Sequence, residues 1–302
     1  MDNKRVIALG FFDGMHIGHA RLLHKAAERA AELEAVPSVL SFDDHPDRMI
    51  SGKSVPLINS PFDRADLIRR AFGIDDLIFL HFDEKLMRMP WDEFLVWLQR
   101  DFGAVHLVAG YDFRFGYRGA GTAERLMEKC AALGMGCDII PQVNIDGVTV
   151  SSTYIRELLQ AGEMERANEF LGHRHFFADN VRYGYRLGRK LGMPTVNMRF
   201  EDGVVVPKHG VYASRAVILE TGERHDAVTN IGVRPTVSGD DRVSVETHLF
   251  GFDGNLYGKR LRIEFCRFMR PEMKFASTEE LGARARRDAE DVKAYFEELR
   301  RT

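Results

Sequence analysis

An α/β unit on a parallel sheet, followed by a small antiparallel β-barrel with a closing helix, is the fold class that this sequence predicts. Up to about residue 170, runs rich in Val, Ile and Leu alternate with stretches of helical spacing, the pattern of strands joined by crossover helices. From Phe176 onward the pattern changes to short β-like runs separated by glycine turns. The last segment carries a single apolar helical stripe behind a capping signal.

In the first half the expected strands are Val6 to Phe11, Val36 to Phe42, Leu77 to Leu80 and Val105 to Ala109. Helical spacing covers Gly18 to Leu33, Pro61 to Phe72, Trp91 to Phe102 and Thr122 to Leu133, the last ending at Gly134. Right-handed crossovers then place helices on both faces of the sheet. In the second half, strands are expected at Val211 to Leu219, Val243 to Phe250 and Leu261 to Phe268. Phe252 to Lys259 reads as a hairpin turn, and Phe268 to Phe275 as a loop before the final helix. Ser277 with Glu280 forms the capping signal, and Leu281, Ala285, Val292, Phe296 and Leu299 share one helical face. The two halves are expected to meet through Leu171 to Phe177, giving domains of 1–174 and 175–302.

At 302 residues, 45% hydrophobic and 29% charged, the chain can bury two cores. Its 42 basic and 45 acidic residues leave a net charge of -3, without the positive field of a protein whose main ligand is long nucleic acid. The start of the chain carries Asp2 and only a short apolar run, and no stretch is long enough to span a bilayer, so a cytoplasmic location away from membranes is expected. Cys130, Cys137 and Cys266 are odd in number and lack CxxC spacing, which argues against a disulfide framework or structural zinc.

The sharpest local signal is the run from Gly10 to His19, GFFDGMHIGH, where an apolar strand passes through a glycine turn into a helix. Free N–H groups and the helix dipole favour an anion there, with Gly14 and Gly18 permitting close backbone approach. His16 and His19, three apart, can both reach a phosphate and donate to charge building up on a leaving group. Alone, such a pair is equally a surface feature or a metal fragment. Two further segments point to the same chemistry. Gly110 to Gly116, GYDFRFG, follows a strand at the sheet edge where α/β proteins bind ligands, and Ser151 to Arg156, SSTYIR, opens a helix with hydroxyls and a cation. A simple helix cap is the bland reading of the latter.

The first run resembles the HxGH signature of the nucleotidyltransferase superfamily. The three segments together resemble, in content and order, the Rossmann-like adenylyltransferase module of bacterial bifunctional riboflavin kinase/FAD synthetases. That resemblance implies AMP transfer from ATP to FMN, giving FAD and pyrophosphate. It also implies that Gly10, Phe12, Asp13, Gly14, His16, Gly18 and His19 hold ATP, with the two histidines catalytic. Asp112 would lie by the nucleotide or flavin, while Ser152, Thr153 and Arg156 would clamp phosphates. The FMN phosphate is already a nucleophile, so alignment and charge stabilisation carry the acceleration. Ser41 to Pro46, SFDDHP, resembles the family's TFDPHP-like segment but has Asp44 where proline is usual; a capped turn explains it equally well.

In the second half, Gly184 to Asn197, GYRLGRKLGMPTVN, joins glycines and three cations to a Pro-Thr corner. It lacks the Walker pattern, and a basic glycine-rich hairpin is its plain reading. Its Thr195 hydroxyl and Asn197 carbonyl suit Mg²⁺, which keeps most of its water and takes few protein ligands. The block resembles the GRxLGxPTxN signature of riboflavin kinases. Gly210 to Ala213, Asn230 to Thr236 and Val245 to Leu249 continue the likeness. By that resemblance Gly188, Arg189, Gly192, Thr195 and Asn197 bind ATP, Thr195 and Asn197 also bind Mg²⁺, and Glu246 is the general base for the riboflavin 5′-hydroxyl. Without the resemblance, Glu246 is an ordinary outward glutamate on a strand. The likeness departs at Phe177 to Val181, where a glycine usually precedes the valine.

The expected substrates and products are therefore riboflavin, FMN, FAD, ATP, ADP and pyrophosphate. A tRNA-handling relative of the same superfamily is disfavoured by the absence of a KMSKS segment and by the charge balance. A binding or regulatory protein without catalysis is disfavoured by the intact His16, His19, Thr195, Asn197 and Glu246. Phe113, Phe115 and Tyr185 are candidates for flavin stacking, although with 21 phenylalanines most such rings belong to cores.

Overall fold

The computed structural model describes residues 4–44, 49, 52, 54–184, 188, 192–234 and 242–301. Backbone contacts divide the chain into two compact units, Met1–Ser152 and Thr153–Thr302.

The first unit is built on five parallel strands, β1 (Arg5–Leu9), β2 (Val36–Phe42), β3 (Asp76–Leu80), β4 (Ala104–Gly110) and β5 (Gly136–Ile140), in the order β3-β2-β1-β4-β5. Helices α1 (Ile17–Glu32), α2 (Pro61–Phe72), α3 (Glu84–Arg88), α4 (Trp91–Phe102) and α5 (Ala123–Ala132) connect them. β1 is central, and Val6 to Leu9 are all fully buried, which is why this run has no polar alternation. Its neighbours are β2 on one side and β4 on the other, so the strand order reverses beside β1 and opens a crevice at the carboxyl ends of β1 and β4. α2 shows how closely local sequence sets an element. The Ser60 hydroxyl accepts from the Asp63 N–H at 3.1 Å, Pro61 starts the helix, and Gly73 ends it at φ 64°. A short hairpin, β6 (Asn144–Ile145) with β7 (Val148–Thr149), precedes the division between the units.

The second unit begins in α6 (Ser152–Ala161), continues through α7 (Met164–Leu171), and then forms six antiparallel strands. These are β8 (Phe176–Asn180), β9 (Val196–Met198), β10 (Gly210–Ile218), β11 (Arg224–Arg234), β12 (Arg242–Leu249) and β13 (Arg260–Pro271), in the order β8-β13-β10-β11-β12-β9. A bridge between Arg182 and Asn197 joins the edges, so the sheet is a nearly closed barrel. Inside it, Ser214, Thr229 and Thr247 link hydroxyls across three strands at 2.6 and 2.9 Å, satisfying polar groups that water does not reach. The closing helix α8 (Thr278–Leu299) packs Val292 and Phe296 against Val211, Ala213 and Val228 of the barrel wall. The Ser277 hydroxyl accepts from the Glu280 N–H at 3.1 Å, and the Glu280 carboxylate accepts in return from the Ala276 N–H.

Several boundaries differ from the sequence reading. β5 was not expected, because Gly136, Cys137 and Asp138 dilute its apolar run; Asp138 is tied to Arg29 at 2.6 Å and to His106 at 2.9 Å. β13 continues through Pro271, so the expected loop from Phe268 begins only at Glu272. Leu299 is 40% exposed and not on the packed face, since the helix outlasts the barrel it covers.

Candidate active sites

The strand-to-helix corner after β1 is held far more tightly than a surface turn. Phe12 and Met15 both adopt left-handed backbone, φ 57° and 45°, although neither is glycine and both are buried. Such conformations persist only where surrounding bonds over-determine them. The bonds are present. The Asp13 carboxylate accepts from the Ile58 N–H at 2.8 Å and the Asn59 N–H at 3.4 Å. The Ser152 hydroxyl donates to the Asp13 carbonyl at 2.9 Å, and the Ser41 hydroxyl to the Phe11 carbonyl at 2.8 Å. Gly14 takes φ 77° between them.

This corner delivers His16 as the N-cap of α1, its Nδ1 accepting from the His19 N–H at 3.2 Å. In the neutral ring that bond leaves Nε2 as the donor nitrogen. The His16 and His19 rings stack at 3.5 Å between centroids, and the Phe12 ring meets His19 edge-on at 5.3 Å. A methyl group on Gly18 would lie 3.1 Å from the His16 ring, so glycine is what lets the imidazole fold over the helix start. Burial pushes the His19 imidazole well below its ordinary range; the neighbouring His16 and the Arg64 guanidinium lower it further. His19 is thus a neutral ring at pH 7. Gly10 closes β1 with its N–H on the Leu40 carbonyl at 3.2 Å. Asp112, exposed, stands just past β4, the strand beside β1, at the same sheet edge.

Of the ATP set expected from sequence, Asp13 is 1% exposed and its carboxylate is engaged by the 58–59 backbone, so it shapes the corner from within. Ser152 likewise turns its hydroxyl to the corner's backbone. Thr153 and Arg156 follow in the first turns of α6. Phe113 and Phe115 stack on one another at 5.6 Å, and Phe115 packs against Phe94 in the core. His45 and Pro46 of the SFDDHP run, and Tyr185, lie outside the described residues.

In the barrel, strand register assembles the second site. Glu246 on β12 lies directly opposite Asn197 on β9 and Asn230 on β11. Thr195, one residue before β9, points its hydroxyl at the Glu246 carboxylate at 3.5 Å. All four line a cavity of about 500 Å³, together with Gly188. Gly188 is joined to Met193 by a 2.8 Å backbone bond, and Gly192 turns that loop at φ 74°. Arg189 lies outside the described residues. Hydroxyl, amide carbonyl and carboxylate oxygens gathered on one wall form a donor set that fits Mg²⁺.

The far side of this cavity escaped the sequence reading. Arg270 and Glu272 at the end of β13, Met273 and Phe275 beyond it, and Leu281, Ala285 and Asp288 of α8 close it. Arg270 holds the buried Asp288 in a two-pronged pair at 2.9 and 2.6 Å, and Arg284 adds a contact at 2.7 Å. Ser244 and His248 also line the cavity. Their spacing of two on either side of Glu246 is the signal that could have found them, since alternate strand residues share a face.

A parallel α/β unit with two stacked histidines at a strand-to-helix corner and a barrel with an oxygen-lined cavity fit a two-site transferase. The family profile for FAD synthetase matches residues 1–154, and that for riboflavin kinase matches residues 171–296. The chain belongs to the family of bifunctional riboflavin kinase/FMN adenylyltransferases. It is 32% identical to the member from Listeria monocytogenes, over 99% of this chain and 94% of that protein. The Bacillus subtilis member is also 32% identical over the same shares, and the Pseudomonas fluorescens member is 35% identical over 91% of this chain and 88% of its own. A crystal structure described as a macrolide-efflux protein from Streptococcus pneumoniae superposes with a TM-score of 0.86 at 26% identity, covering 97% of this chain and 95% of that one. Among the described residues, no helix is long and apolar enough to cross a membrane.

Proposed function

We propose that the chain phosphorylates riboflavin to FMN in its barrel and transfers AMP from ATP to FMN at the corner after β1, giving FAD. The observation that carries the reading is the convergence of Thr195, Asn197 and Glu246 on one cavity wall. In the barrel step Glu246 accepts the proton of the riboflavin 5′-hydroxyl as that oxygen attacks the γ-phosphate of ATP, and ADP leaves. Thr195 and Asn197 would hold Mg²⁺, which when bound offsets charge on the transferring phosphates. Gly188, Arg189 and Gly192 would bind the ATP. The wall of Met273, Phe275, Leu281 and Ala285 is apolar enough to take the flavin ring.

In the adenylyl step an FMN phosphate oxygen attacks the α-phosphate of ATP, and pyrophosphate leaves. The start of α1, with Gly10, Phe12, Asp13, Gly14 and Gly18 shaping it, receives the triphosphate, and His16 and His19 donate to it, His19 as a neutral ring. Asp112, Ser152, Thr153 and Arg156 complete that site. We assign residues 1–174 to AMP transfer and 175–302 to the kinase, supported by profile matches that end at 154 and resume at 171. A cytoplasmic location accompanies the reading, supported by three thiols that form no disulfide.

Purified protein with riboflavin, ATP and Mg²⁺ is expected to yield FMN and then FAD, followed by chromatography of the flavins. Glu246→Ala stops the first step and spares the second, and His19→Ala does the reverse. Accumulation of FMN alone in the unaltered protein removes the transferase half of the reading. Loss of both steps in either folded variant defeats the separateness of the sites.

A further inference from the structure

The largest fully buried side chain among the described residues is a cation: Arg64 of α2 is 0% exposed. Its Nη1 donates to the Phe11 carbonyl at 2.5 Å and its Nη2 to the Phe42 carbonyl at 2.6 Å. The guanidinium thereby bridges the residues that follow β1 and end β2, directly beneath the corner that presents the histidine pair. It lies over the Phe11 ring at 4.6 Å and near the Phe79 ring at 5.3 Å, and its Nε is buried without a hydrogen-bond partner. Burial lowers the guanidinium to about 10, against the raising effect of Asp13 and Asp43, so it stays charged at neutral pH. A group needed only to fill space would be apolar, because a buried charge with an unfilled donor is an unfavourable way to pack a sheet edge.

We propose that Arg64 is a positioning residue for AMP transfer, clamping from beneath the strand-to-helix corner that carries His16 and His19. This rests on the adenylyl reading above. The clamp acts in two ways. It fixes the Phe11 carbonyl, and with the Asp13, Ser41 and Ser152 bonds it holds the left-handed turn at Phe12. Its charge also bears on the His19 ring; among the described residues the other charged or titratable group acting on that ring is His16, stacked against it, while Asp13 and Asp43 act on the guanidinium. With the cation in place, His19 meets the nucleotide as an uncharged donor.

The test compares Arg64→Lys and Arg64→Met in the full chain, measuring kcat and KM for FMN to FAD across pH, with riboflavin to FMN as an internal control. Lysine keeps the charge but reaches one carbonyl at a time, whereas methionine removes both functions. Expected are losses in kcat for FAD formation of about tenfold for lysine and about a hundredfold for methionine, with phosphorylation within about twofold of the parent. The acid limb of FAD formation moves to higher pH in Arg64→Met alone, because His19 then gains its proton more readily. Should Arg64→Met fail to fold, Arg64→Lys decides: a tenfold loss with intact phosphorylation supports the clamp. FAD formation within twofold of the parent in a folded variant overturns it, as does an unmoved acid limb in folded Arg64→Met. A parent protein that makes no FAD sinks the underlying reading instead.

Discussion

Substituting Gly18 with alanine separates the chemistry of the front site from the stability of the fold. The added methyl would sit 3.1 Å from both Cε1 and Nδ1 of His16. That contact is a few tenths of an ångström too close, and the backbone at Gly18 is helical, so the imidazole has to yield. Moving it weakens the cap bond from the His19 N–H, which at 3.2 Å is already long. Loss of an N-cap destabilises by about 1 kcal/mol. Alanine in place of helical glycine stabilises by up to about 1 kcal/mol. The two nearly cancel, so the unfolding free energy should change by less than about 1 kcal/mol. Catalysis has no such offset. A 1 Å misplacement of a reacting group can lower a rate by about 100-fold, so a shift of a few tenths should lower FAD formation by roughly five- to tenfold. Phosphorylation of riboflavin should be unaffected. The assays are chemical denaturation and timed chromatography of the flavins. Unchanged FAD formation would refute the argument, and so would destabilisation of more than about 3 kcal/mol, which would mean that the cap outweighs propensity.

Two further predictions concern the barrel unit. His175 is fully buried with neither ring nitrogen hydrogen-bonded, and burial, with a smaller contribution from His173, pushes its imidazole down to about 3. Its neutral form is favoured on folding, so its contribution is complete above about pH 6.5 and declines as pH falls toward 3, by up to about 1.4 kcal/mol per pH unit. His175→Phe should flatten the decline in stability between pH 6.5 and 5, and parallel curves for parent and variant would exclude His175 as the cause. Asp288→Asn should destabilise the second unit by about 3 kcal/mol, because it leaves Arg270 facing a neutral partner in a nearly buried pair. It should also raise the KM for riboflavin, since both groups line the cavity; an unchanged KM would mean that the pair merely fastens α8.

The residues legible from sequence are those whose type is unusual for their place. Two histidines around a glycine at a strand-to-helix corner have little structural reason to be there, and the structure stacks their rings over the start of α1. Thr195 and Asn197 from one segment and Glu246 from another come together because antiparallel register sets Glu246 opposite Asn197. Arg64 was invisible. In PFDRADLIRRAF it stands with Arg69 and Arg70 as one of three cations on an amphipathic helix, yet those two belong to the exposed last turn while Arg64 is sealed under the sheet edge. Helical spacing cannot show which polar residue faces inward when the inward partner is a backbone carbonyl from another strand. The apolar stripe on α8 predicts packing alone, but Leu281 and Ala285 also line the cavity, because the helix covers an open flank of the barrel as well as its wall.

The two sites achieve rigidity by different means, and this determines where substitutions should hurt. In the barrel, spacing comes from ladder hydrogen bonds between β9, β12 and β11, which no single side chain controls. A change at Glu246 therefore alters chemistry while the frame persists. At the corner after β1, left-handed backbone at Phe12 and Met15 is held by side chains from elsewhere in the unit: Ser41, Arg64 and Ser152, with Asp13 reaching out to residues 58 and 59. Each such conformation is unfavourable by roughly 1 to 3 kcal/mol, so the productive turn exists only while enough of these bonds remain. Residues outside the nucleotide pocket should therefore govern AMP transfer in the front unit. In the barrel, loss of phosphorylation without unfolding should be confined to residues whose side chains line the cavity.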